Sequence, residues 1–221
     1  MTEKKKIPWE EIDFALLDMD GTLLDKHFDD YFWEEFVPQQ YAKKNGISFS
    51  QAKETLFSAY AQQKGNLLWT DIHYWSDRFG LDLPALKESV ADRVKVHEGV
   101  FPFLAFLKEA KKKVVLLTNA HPKSIAIKLN RVPLRPYLDQ IISSADVGYS
   151  KEATQFWEAA QQRSGFSNAR SLFVDDSEEI LFVARRFGIK HLFYKSNASS
   201  QILREDSAQF PSIRHFGEML P

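Results

Sequence analysis

Five short runs of apolar residues constrain this chain more than any other feature: FALLDMD at 14–20, VVLLTN at 114–119, QIISS at 140–144, LFVDD at 172–176 and HLFY at 191–194. A strand that is apolar at consecutive positions is covered on both faces, as in a parallel sheet. Helix-length segments separate the later runs and carry end signals. Pro102 and Pro122 suit first-turn positions, Ser150 and Ser177 suit N-caps, and Gly165 and Gly188 suit C-terminal stops. Strand alternating with helix predicts an α/β fold with a doubly wound, Rossmann-like parallel sheet.

The rhythm breaks once, between the first run and HEGVFPFLAFL. The intervening segments DDYFWEEFVPQQYAKKNG and FSQAKETLFSAYAQQKG place apolar residues at helical spacing and end at glycine. A small helical domain is therefore expected at residues 26–97, inserted into a core made of 1–25 and 98–221. The insert holds 13 of the 30 aromatic residues. At helical spacing these read first as the core of a small bundle, and second as surfaces for stacking a base.

Composition narrows the partners. Lysine and arginine number 29 against 30 acids, a net charge of −1 that supplies no field toward nucleic acid or an anionic membrane. There is no cysteine, hence no disulfide, thiolate site or cysteine nucleophile. The opening MTEKKKIPWEEID lacks the apolar stretch of a secretion signal, and no apolar run approaches the roughly 18 residues of a membrane span. The cytoplasm is the expected compartment. GxxxxGK[ST] and GxGxxG, the usual phosphate-cradling loops, are absent.

The chemistry-bearing residues fall where strands should end. FALLDMDGTLLD delivers Asp18 and Asp20 into a turn opened by Gly21 and followed by Thr22. In open α/β sheets the ligand crevice lies at the carboxyl ends of the strands, so one acid can attack there while the other handles a proton. A plain Asp-Gly turn would not explain Asp18, set behind apolar residues where an unpaired charge is costly. VVLLTN ends in Thr118 and Asn119, which read by themselves as helix caps, and Lys151 alone reads as a surface charge. LFVDDSEEI sets Asp175 beside Asp176 with Glu179 one turn on. Adjacent acids repel, and a hard divalent ion with oxygen ligands relieves this; Asp176 and Glu179 also fit a capping box.

In this order the elements resemble the haloacid dehalogenase superfamily of aspartate-nucleophile phosphotransferases, over about 12–25 and 98–194. The resemblance implies that Asp18 is the nucleophile and Asp20 the proton donor to the leaving alcohol, then the base that activates water. It implies that Thr118, Asn119 and Lys151, with Thr22, hold the phosphate. It places Mg2+ among Asp18, the Asp20 carbonyl and Asp175, supported by Asp176 or Glu179. A phosphate dianion beside Asp18 and Asp175 carries about four negative charges, which magnesium and Lys151 lower to about one. Two positions depart from common forms: Lys151-Glu152 stands for Lys-Pro, and VDDSEE puts Glu179 where an aspartate is usual. Asp20 argues against the dehalogenase branch, and the insert corresponds to a helical cap.

The stretches DMDGTLLDKHFDDYFWEEFVPQQYA, LLTNAHP, GYSKE and FVDDSEEIL are further similar to bacterial GMP/IMP 5′-nucleotidases. This implies a purine nucleoside monophosphate as substrate, with Phe32, Trp33, Lys64, Asn66, Trp69, His73 and Tyr74 as cap candidates and His27 and His121 beside the motifs. The alternatives are a sugar-phosphate phosphatase or phosphoglucomutase on the same scaffold, a phosphonate hydrolase, and, from another class, a non-catalytic binding or scaffold protein.

Overall fold

All five apolar runs form strands in the computed structural model, which describes residues 7–202 and 204–221. The strands are β1 Phe14–Leu17, β2 Lys113–Thr118, β3 Gln140–Ser143, β4 Ser171–Asp175 and β5 His191–Lys195, joined by a short β6 at Ser212–Ile213. They make one parallel sheet in the order β3-β2-β1-β4-β5-β6. The chain winds outward from β1 through β2 and β3, then crosses back to lay β4 on the other side of β1. A crevice opens at the carboxyl end of the strand where the order reverses. Here that strand is β1, and the residue after it is Asp18.

Period-two alternation within the strands fills two cores. Ala15, Leu17, Leu116 and Val174 join Phe103, Leu107 and the insert on one face, while Leu16, Val115, Leu117 and Phe173 pack against Phe156, Trp157 and Leu181 on the other. The crossover helices are α6 Val100–Glu109, α7 Pro122–Arg131, α8 Ser144–Val147, α9 Thr154–Ser164 and α10 Glu178–Phe187, numbered after five helices of the insert. Gly165 and Gly188 end α9 and α10 in the left-handed conformation, and Pro122 opens α7. Ser177 caps α10 by accepting from the Ile180 amide, so the Asp176–Glu179 capping box is corrected: the cap lies one residue later. Ser150 is corrected too, because Ala153 precedes α9 and the Ser150 carbonyl accepts the Ala153 amide in the turn before it.

Between β1 and α6 the chain is helical: α1 His27–Tyr31, a π-helical turn Phe32–Phe36, α2 Val37–Asn45, α3 Phe49–Ala61, α4 Ile72–Phe79 and α5 Leu83–Ser89. Ser48 and Gln51 form a reciprocal capping box at α3, and Gly46 ends α2 as expected. Its two connections to the sheet run side by side: the Asp25 amide donates to the Lys95 carbonyl and the His97 amide to the Leu23 carbonyl. Among the described residues no helix is long and apolar enough to cross a membrane. Lys4, Lys5 and Lys6, part of the reading of the opening segment, lie outside the described residues.

Candidate active site

The β1 ladder continues past the strand, because the Asp18 amide donates to the Val174 carbonyl at 3.1 Å. This backbone bond fixes the Asp18 side chain beside the end of β4, whose last residue is Asp175. Lys151, from the loop after α8, inserts its ammonium between the two, 2.5 Å from Asp18 Oδ1 and 2.7 Å from Asp175 Oδ2. Lys151 is 2 % exposed, so the surface reading of a lone lysine is corrected here. A buried ammonium persists because two carboxylates face it.

The loop that carries Lys151 is held from beneath. Asn119 Oδ1 accepts the Lys151 amide at 2.9 Å, and Asn119 Nδ2 donates to Glu152 at 3.0 Å. The Lys151 carbonyl accepts from the buried Trp157 indole at 2.9 Å. Glu152, standing where proline is common, thus has a local use. Thr118 Oγ1 accepts the Ala120 amide at 3.0 Å, which leaves its hydroxyl proton free for an acceptor in the crevice.

Asp18, Asp175 and Asp176 bring carboxylate oxygens within 4.8 Å of one another, and no other such cluster occurs among the described residues. Asp18 Oδ2 is buried without a hydrogen-bond partner. Three carboxylates against the Lys151 ammonium and the Arg204 guanidinium, 3.6 Å from Asp176, leave a formal charge of −1. An orphaned carboxylate oxygen inside an all-oxygen donor set of that charge fits a hard divalent cation such as magnesium.

Burial pushes the Asp18 carboxyl up to about 6, against the pull of Lys151 and with a further push from Asp175. Asp175 is likewise raised to about 6 by burial, Lys151 opposing and Asp176 adding. Asp176 reaches about 7 through burial and the charge of Asp18. Burial works to strip Lys151 of its proton, but Asp175 and Asp18 outweigh it and hold the proton above the usual lysine range.

Gly21 makes the approach of Asp176 possible. Its φ is +91°, and a Cβ there would lie 2.6 Å from the Asp176 carboxylate carbon. Gly21→Ala is expected to destabilise the protein by about 2 kcal/mol in urea unfolding, through left-handed strain and displacement of Asp176. An unchanged midpoint would contradict the stated contact.

Asp20 does not join the cluster. Its Oδ1 receives Lys128 Nζ at 2.6 Å, and the same ammonium lies 2.6 Å from Asp29 Oδ2. Asp29 Oδ1 in turn receives Lys87 Nζ at 2.6 Å. Burial lifts Asp20 to about 6, Lys128 opposing and Asp29 adding. Neither lysine was singled out from the sequence, although a lysine on an apolar helix stripe, beside Ile125 in α7 and four residues after Leu83 in α5, was the available signal.

These side chains line a cavity of about 600 Å³ between the sheet edge and the insert, within the range of small-ligand sites. Its far wall is aromatic: Trp33, Phe57, Tyr60, Trp69 and Trp75. Lys64 and His121 also reach it. The structure does not bring Asn66, His73, Tyr74 or His27 to the cavity, and Phe32 is buried in the core. Phe28, Tyr60, Trp75 and Phe79 are core residues as well, so the insert's aromatics serve mostly packing and partly the cavity wall. Thr22 is wholly buried, its hydroxyl unpartnered and away from the cavity, and Glu179 is exposed outside it.

The chain is 39% identical over 215 residues to the GMP/IMP nucleotidase YrfG of Escherichia coli (strain K12), covering 97% of each protein. A haloacid dehalogenase-superfamily phosphatase from Thermococcus onnurineus superposes with a TM-score of 0.80 at 23% identity, over 94% of this chain and 96% of that one. CbbY from Rhodobacter sphaeroides, solved with phosphate, gives 0.68 at 13% identity over 94% and 96%. These two likenesses establish a shared fold. The haloacid dehalogenase-like hydrolase family profile matches residues 12–188, which include β1 through β4 and every member of the Asp18, Lys151 and Asp175 cluster. The chain therefore belongs to the haloacid dehalogenase-like hydrolase family.

Proposed function

We propose that this hydrolase is a magnesium-dependent phosphomonoesterase that cleaves purine nucleoside 5′-monophosphates, GMP and IMP, through a phosphorylated Asp18. The observation that carries this reading is the convergence of Asp18, Lys151 and Asp175 at one end of a cavity whose other wall is aromatic. The similarity to the GMP/IMP nucleotidase supports the choice of ester. The helical segment, residues 26–97, is read as the cap over the core formed by 1–25 and 98–221. A charge near neutrality and the lack of cysteine fit a small-molecule enzyme of the cytoplasm.

Catalysis follows from charge placement. Lys151 and the Thr118 hydroxyl hold the phosphate oxygens, while Asn119 sets the loop from which Lys151 reaches in. The Asp18 carboxylate attacks phosphorus, forming an acyl phosphate as the bond to the ester oxygen breaks. That departing oxygen takes a proton from Asp20. Water then gives a proton back to Asp20 and attacks phosphorus, releasing inorganic phosphate and restoring Asp18. Asp18, Asp175 and Asp176, with the Asp20 carbonyl, would hold magnesium, whose chemistry is to neutralise charge on the phosphate and its transition state. Thr22 and Glu179 take no direct part in this scheme.

A panel of phosphate esters with and without magnesium tests the reading. Base–aromatic stacking contributes about 1–3 kcal/mol, so GMP and IMP should exceed ribose 5-phosphate in kcat/KM by about 5- to 150-fold. A sugar phosphate turned over faster than GMP or IMP would replace the nucleotidase reading with a sugar-phosphate one.

A further inference from the structure

Four charged side chains form a continuous relay along the cavity: Asp20, Lys128, Asp29 and Lys87, each neighbour 2.6 Å from the next. Asp20 belongs to the turn after β1 and Lys128 to the core helix α7, whereas Asp29 lies in α1 and Lys87 in α5 of the insert. The relay therefore crosses from sheet to insert. Both lysine side chains are nearly sealed from solvent, at 1 % and 2 % exposure. The Lys87 ammonium also lies 4.7 Å from the Phe32 ring centroid and about 5.4 Å from that of Trp33, contacts that favour a desolvated cation.

A structural ion pair alone accounts poorly for this arrangement. Burying two ammoniums is costly, and an apolar pair of similar volume often serves packing as well or better. The relay also ends on Asp20, which lines the cavity. Lys128 grips Oδ1 of Asp20, and no described residue engages Oδ2. Asp29 uses both oxygens, one for each lysine, so shifting α1 or α5 pulls on Lys128 and through it on Asp20.

We propose that Lys128 is a positioning residue that aims Asp20 at the departing ester oxygen and that Asp29, held by Lys87, makes this aim depend on the seating of the insert. The inference rests on the assignment of Asp20 as proton donor. Lys128 bonds to Asp20 alone among the groups placed in the reaction, and because Lys128 also lines the cavity, its loss in an Asp20→Asn background separates an effect through Asp20 from direct contact with the ester.

The distinguishing measurement is leaving-group dependence. An alkoxide such as the 5′-oxygen of GMP needs a proton as it departs, whereas p-nitrophenolate does not. kcat/KM reports only steps up to release of the alcohol, so later use of Asp20 as base does not enter. Lys128→Met, which keeps the length of the stem, should lower kcat/KM for GMP by about 100-fold and that for p-nitrophenyl phosphate by less than about 3-fold. Asp29→Asn should show the same split, and Lys87→Met a weaker one. In an Asp20→Asn background, Lys128→Met should cause no further loss with GMP, since both changes remove one function. Thermal melting of each variant separates folding from function, and a variant that does not fold is replaced by Lys128→Gln at the same position. Equal losses for both esters, or additive losses in the double variant, would overturn the proposal. If the wild-type protein cleaves neither ester with magnesium, it is the phosphatase reading that fails, a result distinct from loss of the split.

Discussion

Asp18→Asn is expected to abolish magnesium-dependent phosphate release, lowering kcat by about four orders of magnitude or more, while the protein stays folded. The amide is a poor nucleophile at this site, and no described neighbour can take its place. Both Asp175 oxygens are already engaged, one by the Lys151 ammonium and the other by the Ser177 amide. Stability should change little because two effects oppose. Lys151 loses one of its two carboxylate partners, which destabilises, but the repulsion among Asp18, Asp175 and Asp176 is relieved. Phosphate release and thermal melting on the same sample check both halves. Activity near the wild-type level in the asparagine variant would remove Asp18 from the role of nucleophile.

The place of Asp18 at the end of a buried strand was accessible from sequence because of how such a strand is written, while its role came from the resemblance of the motif order. β1, β2 and β4 are covered on both faces, so their apolar runs are unbroken and the polar residues that end them stand out. Asp18 and Asp175 stood out as strand-end acids for this reason, whereas Thr118 at the end of β2 read by itself as a cap and drew its role from motif order. The two-residue strand β6 has no such run and was missed. The π-helical turn at Phe32–Phe36 was missed as well, since its apolar spacing resembles that of the flanking helices. The capping box at Asp176 failed by one residue because Asp175 accepts the Ser177 amide and extends the turn before α10 begins.

The lysines mark the sharper boundary. Lys151 gained meaning only from motif order, since the carboxylates that justify its burial lie 133 and 24 residues away. Lys128 and Lys87 had no motif, and residue type alone sends a lysine to the surface. Their apolar helix faces held the contrary signal. Reading it required knowing that Asp29 of α1 would fold against both, a contact of 99 residues for Lys128 and 58 for Lys87. Periodicity can say that a lysine is buried; only tertiary structure names the acid that keeps it charged.

Magnesium should stabilise the protein strongly at pH 7.5 and hardly at all at pH 5. Without a metal the carboxyls of Asp18 and Asp175 titrate near 6 and that of Asp176 near 7, all above the unfolded value of 3.8. Between about pH 4 and 7 the folded state thus binds more protons than the unfolded one, so the contribution of these groups to stability falls as pH rises. His97 slopes the other way: burial, aided by Lys195, lowers it to about 4 from 6.5, and folding then favours higher pH. The difference between melting temperatures with and without magnesium cancels His97, which is not among the cluster's carboxylates. What remains is competition of protons with the cation for the same oxygens. At about 2–4 °C per kcal/mol for a chain of this size, the magnesium increment should grow from near zero at pH 5 to several degrees at pH 7.5. Asp176→Asn should flatten that growth by removing the carboxyl that titrates highest. An increment equal at both pH values would mean that the cation does not displace protons from these carboxylates, and the cluster of Asp18, Asp175 and Asp176 would then not be its site.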